Sequence, residues 1–309
     1  MLNLTGKDIL DGAQFTREQI DGLMDLADDF RHQLDSTHGL DLLHGYVMAA
    51  LFFEPSTRTR LSFETAMHRL GGSVVGFSSA ESTSVAKGET LTDTIRTVDQ
   101  YVDVIAMRHP AVGSAATAAS VAAAPVLNGG DGAGQHPTQA LLDLYTMRQE
   151  CGGLDGKTLV LCGDLKNGRT VHSGVEIFKH YNCKLVFVAP DALKMPAEIT
   201  ARLRAQGKAV EETSDLPGAI RGADILYMTR IQKERFADPQ EYERLKDSYI
   251  LTRQIVEQNN PKLTIMHPLP RVVEITTDVD TLPGAAYFRQ MHNGVFIRMA
   301  LLAAVLRKM

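Results

Sequence analysis

The chain has little cysteine: Cys151, Cys162 and Cys183 are all it carries among 309 residues. The count is odd and no pair stands at CxxC spacing, which argues against a disulfide framework and against a structural zinc site. Reduced thiols and a cytoplasmic location are the expectation. A large charge excess is also missing. The formal net charge is -5, and Lys and Arg are spread along the chain without a basic run for nucleic acid or an acidic tail. A small-molecule or protein partner is favoured instead. Long apolar runs are absent. The strongest, Tyr46–Phe53 and Met299–Leu306, fall far short of the roughly 20 residues that span a bilayer, so no membrane partner is expected. "MLNLTGKDIL" has no basic region followed by an apolar one, so it does not read as a secretion signal. The alanine-rich Ala111–Leu127 carries Ser, Thr, Gly and Pro and reads as a soluble helix plus strand.

Several chemical signatures are missing too. No Asp/Glu/His set stands at metal-ligand spacing, so no metal site is expected. There is no GxSxG elbow and no GxxxxGK[ST] phosphate loop. Gly163–Gly168 follows a strand-like run without GxGxxG, which argues against a dinucleotide. No cofactor is expected.

What is present is a steady alternation of strand-like and helix-like segments. Tyr46–Phe53 is an apolar run of strand length, and Thr57–Leu70 follows with Phe63, Ala66, Met67 and Leu70 at helical spacing. A short strand at "GGSVVGF", a helix at Thr90–Tyr101, a strand at Asp103–Met107, a helix at Gly113–Ala123 and a strand at Pro125–Leu127 continue the rhythm. Pro137 then opens a helix at the position where proline is best tolerated. Beyond it, strands are predicted at Thr158–Cys162, Leu185–Ala189, Ile225–Met228 and Leu263–Met266, with helices at Arg169–Tyr181, Ala197–Gln206 and Pro239–Lys246. The predicted fold class is α/β: two similar-sized domains, each a mostly parallel sheet flanked by helices, with the active site in the cleft between them. The break at Gln149–Lys157 divides them into residues 1–150 and 151–289, and the last helix, 290–309, is expected to pack back on the first.

"FFEPSTRTRLSFE", Phe52 to Glu64, breaks a local rule. A helix starting at Ser56 or Thr57 turns unpaired N–H groups and its positive dipole end outward. Asp or Glu belongs there, yet the chain supplies Arg58 and Arg60 with the hydroxyls of Ser56, Thr57 and Thr59. A bound phosphate resolves the conflict, accepting the backbone donors and pairing with a guanidinium. The plainer alternative is an Arg60–Glu64 pair at i,i+4. Other junctions repeat the pattern: Arg108 and His109 after a strand, His136 and Gln139 at "GQHPTQ", Arg169 at "DLKNGRT", Arg230 and Gln232 at "MTRIQKER", and "HPLPR" from His267 to Arg271. In open α/β sheets ligands gather at the carboxyl ends of strands. Each junction alone is compatible with a solvated arginine or a structural histidine. Together they describe an anion-binding cleft, with His136 available for proton transfer or carbonyl polarisation.

"PSTRTR", "GQHPTQ" and "HPLPR", in that order along essentially the whole chain, resemble the aspartate/ornithine carbamoyltransferase family. "HPLPR", where ornithine enzymes carry a cysteine in HCLP, together with "DLKNGRTVHS" and "MTRIQKER", resembles its aspartate branch. The resemblance implies transfer of the carbamoyl group of carbamoyl phosphate to the amine of L-aspartate, a step of pyrimidine synthesis. It implies that Ser56, Thr57, Arg58 and Thr59 hold the phosphate. Arg108, His136, Gln139 and Thr59 surround the carbamoyl group, and the carbonyls of Leu269 and Pro270 accept its amide hydrogens. Arg169, Arg230 and Gln232 hold the aspartate carboxylates. "STSVAKGET" resembles the family's mobile loop, which supplies Ser84 and Lys87 to a neighbouring subunit's site, so the implied working unit is a homotrimer with shared sites. Read alone, it is a solvated polar loop. Glu54 is implied to tie the domains together through Arg169 and Arg235; in isolation it serves equally well as a partner of Arg58. Some relatives add a zinc-bearing regulatory chain. "QKER" favours that assembly, whereas "HPAVGSAA" lacks the acidic residue expected where such a chain docks. The rival readings are a carbamoyltransferase for ornithine or a related amine, and a noncatalytic anion-binding protein that kept the fold.

Overall fold

The computed structural model describes residues 2–232, 236 and 238–307. It comprises two compact units, Met1–Leu142 with Met291–Met309, and Asp143–Gln290. The chain passes from the first to the second within helix α5 (Pro137–Cys151) and returns within α11 (Tyr287–Leu306).

The first unit contains α1 (Arg17–Ser36), β1 (Val47–Phe52), α2 (Thr57–Arg69), β2 (Ser73–Phe77), α3 (Leu91–Val98), β3 (Val104–His109), α4 (Ser114–Ala119) and β4 (Val126–Asp131). Helix α1 precedes the first element predicted from the sequence, although its signals are present there. Thr16 and Gln19 form a reciprocal capping box, and Ile20, Leu23, Met24, Ala27 and Phe30 form a buried stripe at helical spacing. The strands pair in the order β2-β1-β3-β4, all parallel. Ala49 on β1 lies between Val75 and Ile105. Residues Met48 to Phe52 are all buried, as expected of a central strand covered on both faces. One face packs Ala49, Leu51 and Phe53 with Ile105, Met107 and Val126.

Two strands run further than predicted. β3 continues through Arg108 and His109, so Arg108 projects from the strand's end rather than from the loop beyond. β4 continues through Asn128-Gly129-Gly130 to Asp131. A glycine pair argues against strand by propensity, but a methyl on Gly129 would sit 3.0 Å from the Met107 carbonyl oxygen. Close approach of two backbones favours the bare residue there.

The second unit contains β5 (Thr158–Cys162), α6 (Arg169–Phe178), β6 (Lys184–Val188), α7 (Ala197–Ala205), β7 (Ala209–Thr213), α8 (Leu216–Ile220), β8 (Ile225–Met228), α9 (Pro239–Leu245), α10 (Arg253–Asn259) and β9 (Thr264–Met266). Its sheet runs β7-β6-β5-β8-β9, again all parallel. Val160, Cys162, Val186, Val188, Leu226, Met228 and Ile265 build its core. β7, α8 and α10 are additional to the elements predicted from the sequence. β7 is a largely exposed edge strand, and the two helices are too short to display a period.

In both sheets the winding reverses once, between β1 and β3 and between β5 and β8. An open parallel sheet leaves a crevice at the carboxyl ends of such strands, because the flanking connections diverge to opposite faces. Among the described residues no helix is long and apolar enough to cross a membrane.

Gly163, which follows β5, sits at φ +126°, and a methyl there would lie 2.2 Å from the Thr229 carbonyl oxygen beyond β8. Gly163→Ala should therefore lower unfolding stability by about 2 kcal/mol or more. A urea midpoint unchanged from wild type would contradict this packing.

Candidate active site

At the first switch point the chain leaves β1 through Phe53-Glu54-Pro55 and enters α2. Ser56 is the N-cap residue but makes no side-chain cap bond, and the first turn holds no acidic residue. Helices α1, α3, α9 and α10 are instead capped by Thr16, Thr90, Asp238 and Thr252. Thr57 and Arg58 are exposed at the helix start, and Thr59 is buried. Arg60 turns to Glu64, Nε to Oε1 at 2.6 Å, so the plainer alternative holds for that residue. The helix start presents Arg58.

Arg108 donates from Nε to Glu54 Oε1 at 2.6 Å, and its carbonyl accepts the Phe53 N–H at 2.9 Å. Glu54 is thus paired with Arg108, a partner the sequence did not suggest; Arg235 lies outside the described residues. The neighbouring His109 ring packs edge-on against Phe53, and its Nδ1 accepts the Ala111 N–H at 3.0 Å. Burial lowers its pKa, against the opposing pull of Glu54 and Asp131. Its role here is to shape the turn.

The third contribution to this unit's site comes after β4. Asp131 Oδ1 accepts the Gln135 N–H at 2.6 Å, and Oδ2 accepts the Gly113 N–H at 2.8 Å. Asn128 Oδ1 accepts from Gly130 N–H at 2.8 Å. These buried acceptors hold the loop that delivers His136 and Gln139 to the start of α5. Both side chains are buried, and His136 Nδ1 lies 3.5 Å from Thr138 Oγ1. Asp131 and Asn128 were not singled out from the sequence.

The second switch point repeats the design. Asp164, fully buried, accepts from the Asn167 backbone at 2.9 Å and from its side-chain amide at 3.1 Å. This shapes the turn that ends at Gly168, where α6 begins with Arg169. Again the helix start has no side-chain cap and no acidic residue. Across the switch point, Thr229 donates from N and Oγ1 to the Cys162 carbonyl at 2.8 and 3.2 Å. Arg230 follows at once. Arg169, Arg230 and Gln232 are each half-buried.

Next to β8, β9 delivers the "HPLPR" loop. Leu269 stands at φ +54° and Leu269-Pro270 is cis. His267 Nε2 lies 2.7 Å from Glu274 Oε1, and its Nδ1 accepts the Leu269 N–H at 2.8 Å. Burial lowers the His267 pKa and outweighs the pull of Glu274; the guanidiniums of Arg271 and Arg230 push the same way as burial. Burial raises the pKa of Glu274, but hydrogen bonds from His267 and from backbone N–H groups outweigh it and hold the carboxyl below its ordinary value. The pair is therefore a neutral imidazole on a carboxylate. Arg271 is engaged elsewhere, donating from Nη2 to Asp280 Oδ2 at 2.6 Å and lying over the Tyr287 ring.

Ser84 and Lys87 lie on a 3₁₀ turn, Ser84–Lys87, begun by Thr83, whose hydroxyl accepts the Val85 N–H at 3.2 Å. Both are exposed, and neither side chain has a hydrogen bond or ion pair among the described residues. Val85 packs on the first unit's core. The described residues contain no group of three His, Cys, Asp or Glu that would hold a metal ion. Burial raises the pKa of all three thiols, that of Cys183 to about 11. None is a thiolate nucleophile at neutral pH.

A lowered His267 pKa means that the unfolded chain takes up a proton there, near the ordinary value of about 6.5, before the folded chain does. Stability conferred by the neutral ring is complete above that value and is lost as pH falls toward the folded pKa. Glu274 acts with the same sign at lower pH. His267→Asn should therefore flatten the loss of urea stability that wild type shows from about pH 7.5 to about pH 5.5. Parallel profiles would refute the assignment.

Two family models match the chain: the carbamoyl-P binding domain of aspartate/ornithine carbamoyltransferase over residues 7–149, and the Asp/Orn binding domain over residues 155–305. An aspartate carbamoyltransferase catalytic subunit from Thermococcus kodakarensis is 52% identical over 301 residues, covering 97% of both chains. The crystal structure of aspartate transcarbamoylase from Trypanosoma cruzi, in complex with carbamoyl aspartate and phosphate, superposes with a TM-score of 0.94 at 45% identity, covering 99% of this chain and 98% of that one. The catalytic subunit of aspartate transcarbamoylase from M. jannaschii gives a TM-score of 0.91 at 46% identity, over 97% and 98% of the two chains. With both of its units matched over nearly their whole length, the chain belongs to the aspartate/ornithine carbamoyltransferase family.

Proposed function

We propose that the chain transfers the carbamoyl group of carbamoyl phosphate to the amine of L-aspartate, giving N-carbamoyl-L-aspartate and phosphate in pyrimidine biosynthesis. One observation carries the assignment of residues: each sheet presents, at its own switch point, an uncapped helix start bearing an arginine and a second arginine on, or just beyond, the neighbouring strand. Arg58 and Arg108 serve the first substrate, Arg169 and Arg230 the second.

The start of α2, with Ser56, Thr57, Arg58 and Thr59, binds the phosphate group through backbone N–H donors, hydroxyls and a guanidinium. Glu54 holds Arg108 by Nε, which keeps its terminal Nη donors for the carbamoyl oxygen. Thr59 and His136 donate to the same oxygen. Gln139 and the carbonyls of Leu269 and Pro270 hold the amide end. Arg169, Arg230 and Gln232 bind the two carboxylates, and such orientation supplies up to about 7–11 kcal/mol of the barrier. The neutral amine adds to the carbamoyl carbon, forming the C–N bond. Negative charge develops on the carbonyl oxygen, where each fixed donor contributes about 3–4 kcal/mol. The carbon–oxygen bond to phosphate then breaks, and a phosphate oxygen takes the amine proton. No covalent bond to the enzyme forms.

Ser84 and Lys87 complete the site of a neighbouring copy in a cytoplasmic homotrimer. Their exposure without side-chain partners and the likeness of "STSVAKGET" to the family's mobile loop support this. A zinc-bearing regulatory chain is a further reading, supported by "QKER" alone.

A coupled phosphate-release assay tests the chemistry. Wild type should release phosphate from carbamoyl phosphate only with L-aspartate present, and L-ornithine should not replace it. Arg108→Ala should lose about 10²–10³-fold or more in kcat with its circular dichroism unchanged. Full activity in Arg108→Ala would refute its role. Separately, mixing Lys87→Ala with Arg58→Ala should restore activity, because some sites in the hybrid receive both native groups. No recovery after subunit exchange verified by mass would rule out shared sites.

A further inference from the structure

The loop carrying Leu269 and Pro270 is locked by buried groups that make none of the substrate contacts assigned above. His267 is 1% exposed and Glu274 5%. Because Nδ1 of the ring accepts the Leu269 N–H, the ring proton sits on Nε2 and is donated to Glu274 Oε1. Glu274 Oε2 accepts the N–H groups of Val272 and Val273, both at 3.1 Å. One imidazole–carboxylate pair thus fixes the backbone on both sides of the two carbonyls. The pair is anchored in turn. His267 N–H donates to Gln290 Oε1 at 3.0 Å, Gln290 Nε2 donates to Asp143 Oδ1 at 2.6 Å, and the Tyr227 hydroxyl donates to Asp143 Oδ2 at 2.7 Å. All of these residues belong to the second unit. Leu269 at φ +54° occupies a left-handed conformation that leucine holds only where its surroundings impose it.

We infer that His267 and Glu274 are positioning residues that aim the Leu269 and Pro270 carbonyls at the amide end of carbamoyl phosphate and so select an amide over a methyl group. The inference rests on the functional reading above and extends it to specificity. Two fixed carbonyls match the two N–H donors of a carbamoyl group. Acetyl phosphate has the same shape but offers them a methyl, leaving both acceptors desolvated and unpaired. A loop free to turn its carbonyls to water loses that discrimination.

The test compares two ligands on purified wild type and variants. The readouts are kcat/KM for carbamoyl phosphate at saturating L-aspartate, and the inhibition constant of acetyl phosphate competing with it. In Glu274→Gln, one side-chain oxygen can no longer serve both the imidazole and the two backbone N–H groups. This variant should lose about 10–100-fold for carbamoyl phosphate, with acetyl phosphate changing by less than about 3-fold. His267→Leu should do the same. His267→Asn, whose Oδ1 can accept the Leu269 N–H in an Asx turn, should recover part of the loss. Equal changes for both ligands, or none, would overturn the inference while leaving the function intact. Glu274→Gln decides the matter if His267→Leu does not fold. Wild type that releases no phosphate with both substrates present would overturn the functional reading, and this inference with it.

Discussion

A reversal of winding in a parallel sheet is the constraint on which the rest depends. Successive right-handed crossovers lay helices on one face until the order turns back, and at that point adjacent strands send their connections to opposite faces. The chain contains this reversal twice, at β1/β3 and at β5/β8. Each one opens a crevice lined by strand ends and by the N–H groups of a helix start. Every arginine assigned to a substrate lies at one of these two places.

Such crevices attract anions before any side chain is counted, because helix starts expose unpaired donors. The sequence adds to that bias at α2 and α6. Helices α1, α3, α8, α9 and α10 carry Thr or Asp caps, whereas α2 and α6, like α4 and α7, have no side-chain cap, and α2 and α6 add Arg58 and Arg169. These choices forgo helix stability of about 1 kcal/mol each. Anionic substrates restore what the caps would have supplied. The Glu54–Arg108 pair shows the complementary need: a half-buried guanidinium must be held without being fully neutralised, and a single contact to Nε does this.

Less visible is how much buried polar structure serves loop geometry. Asp131, Asn128, Asp164, His267 and Glu274 are all buried, and each accepts at least one hydrogen bond from a backbone N–H of a site loop. Burying such groups is unfavourable unless every acceptor is used, so once formed they admit few alternative loop conformations.

From the sequence alone came the α/β class, the strands of both sheets' centres, and the junctions bearing Arg58, Arg108, His136, Arg169, Arg230 and "HPLPR". These were legible because buried parallel strands are continuous apolar runs and because arginines at helix starts violate a local electrostatic rule. α1 was legible too, by its capping box, but was omitted; β7, α8 and α10 carry too few residues to show a period. The pairing of Glu54 with Arg108 and the chain from Asp143 through Gln290 to His267 were decided only by tertiary structure, whereas the Arg60–Glu64 pair, local at i,i+4, was one of the alternatives the sequence offered. A helix start or a strand end is a local property of neighbouring residues. A hydrogen bond between residues tens to more than a hundred positions apart depends on how strands are ordered and in which register they pair, and no local pattern encodes that.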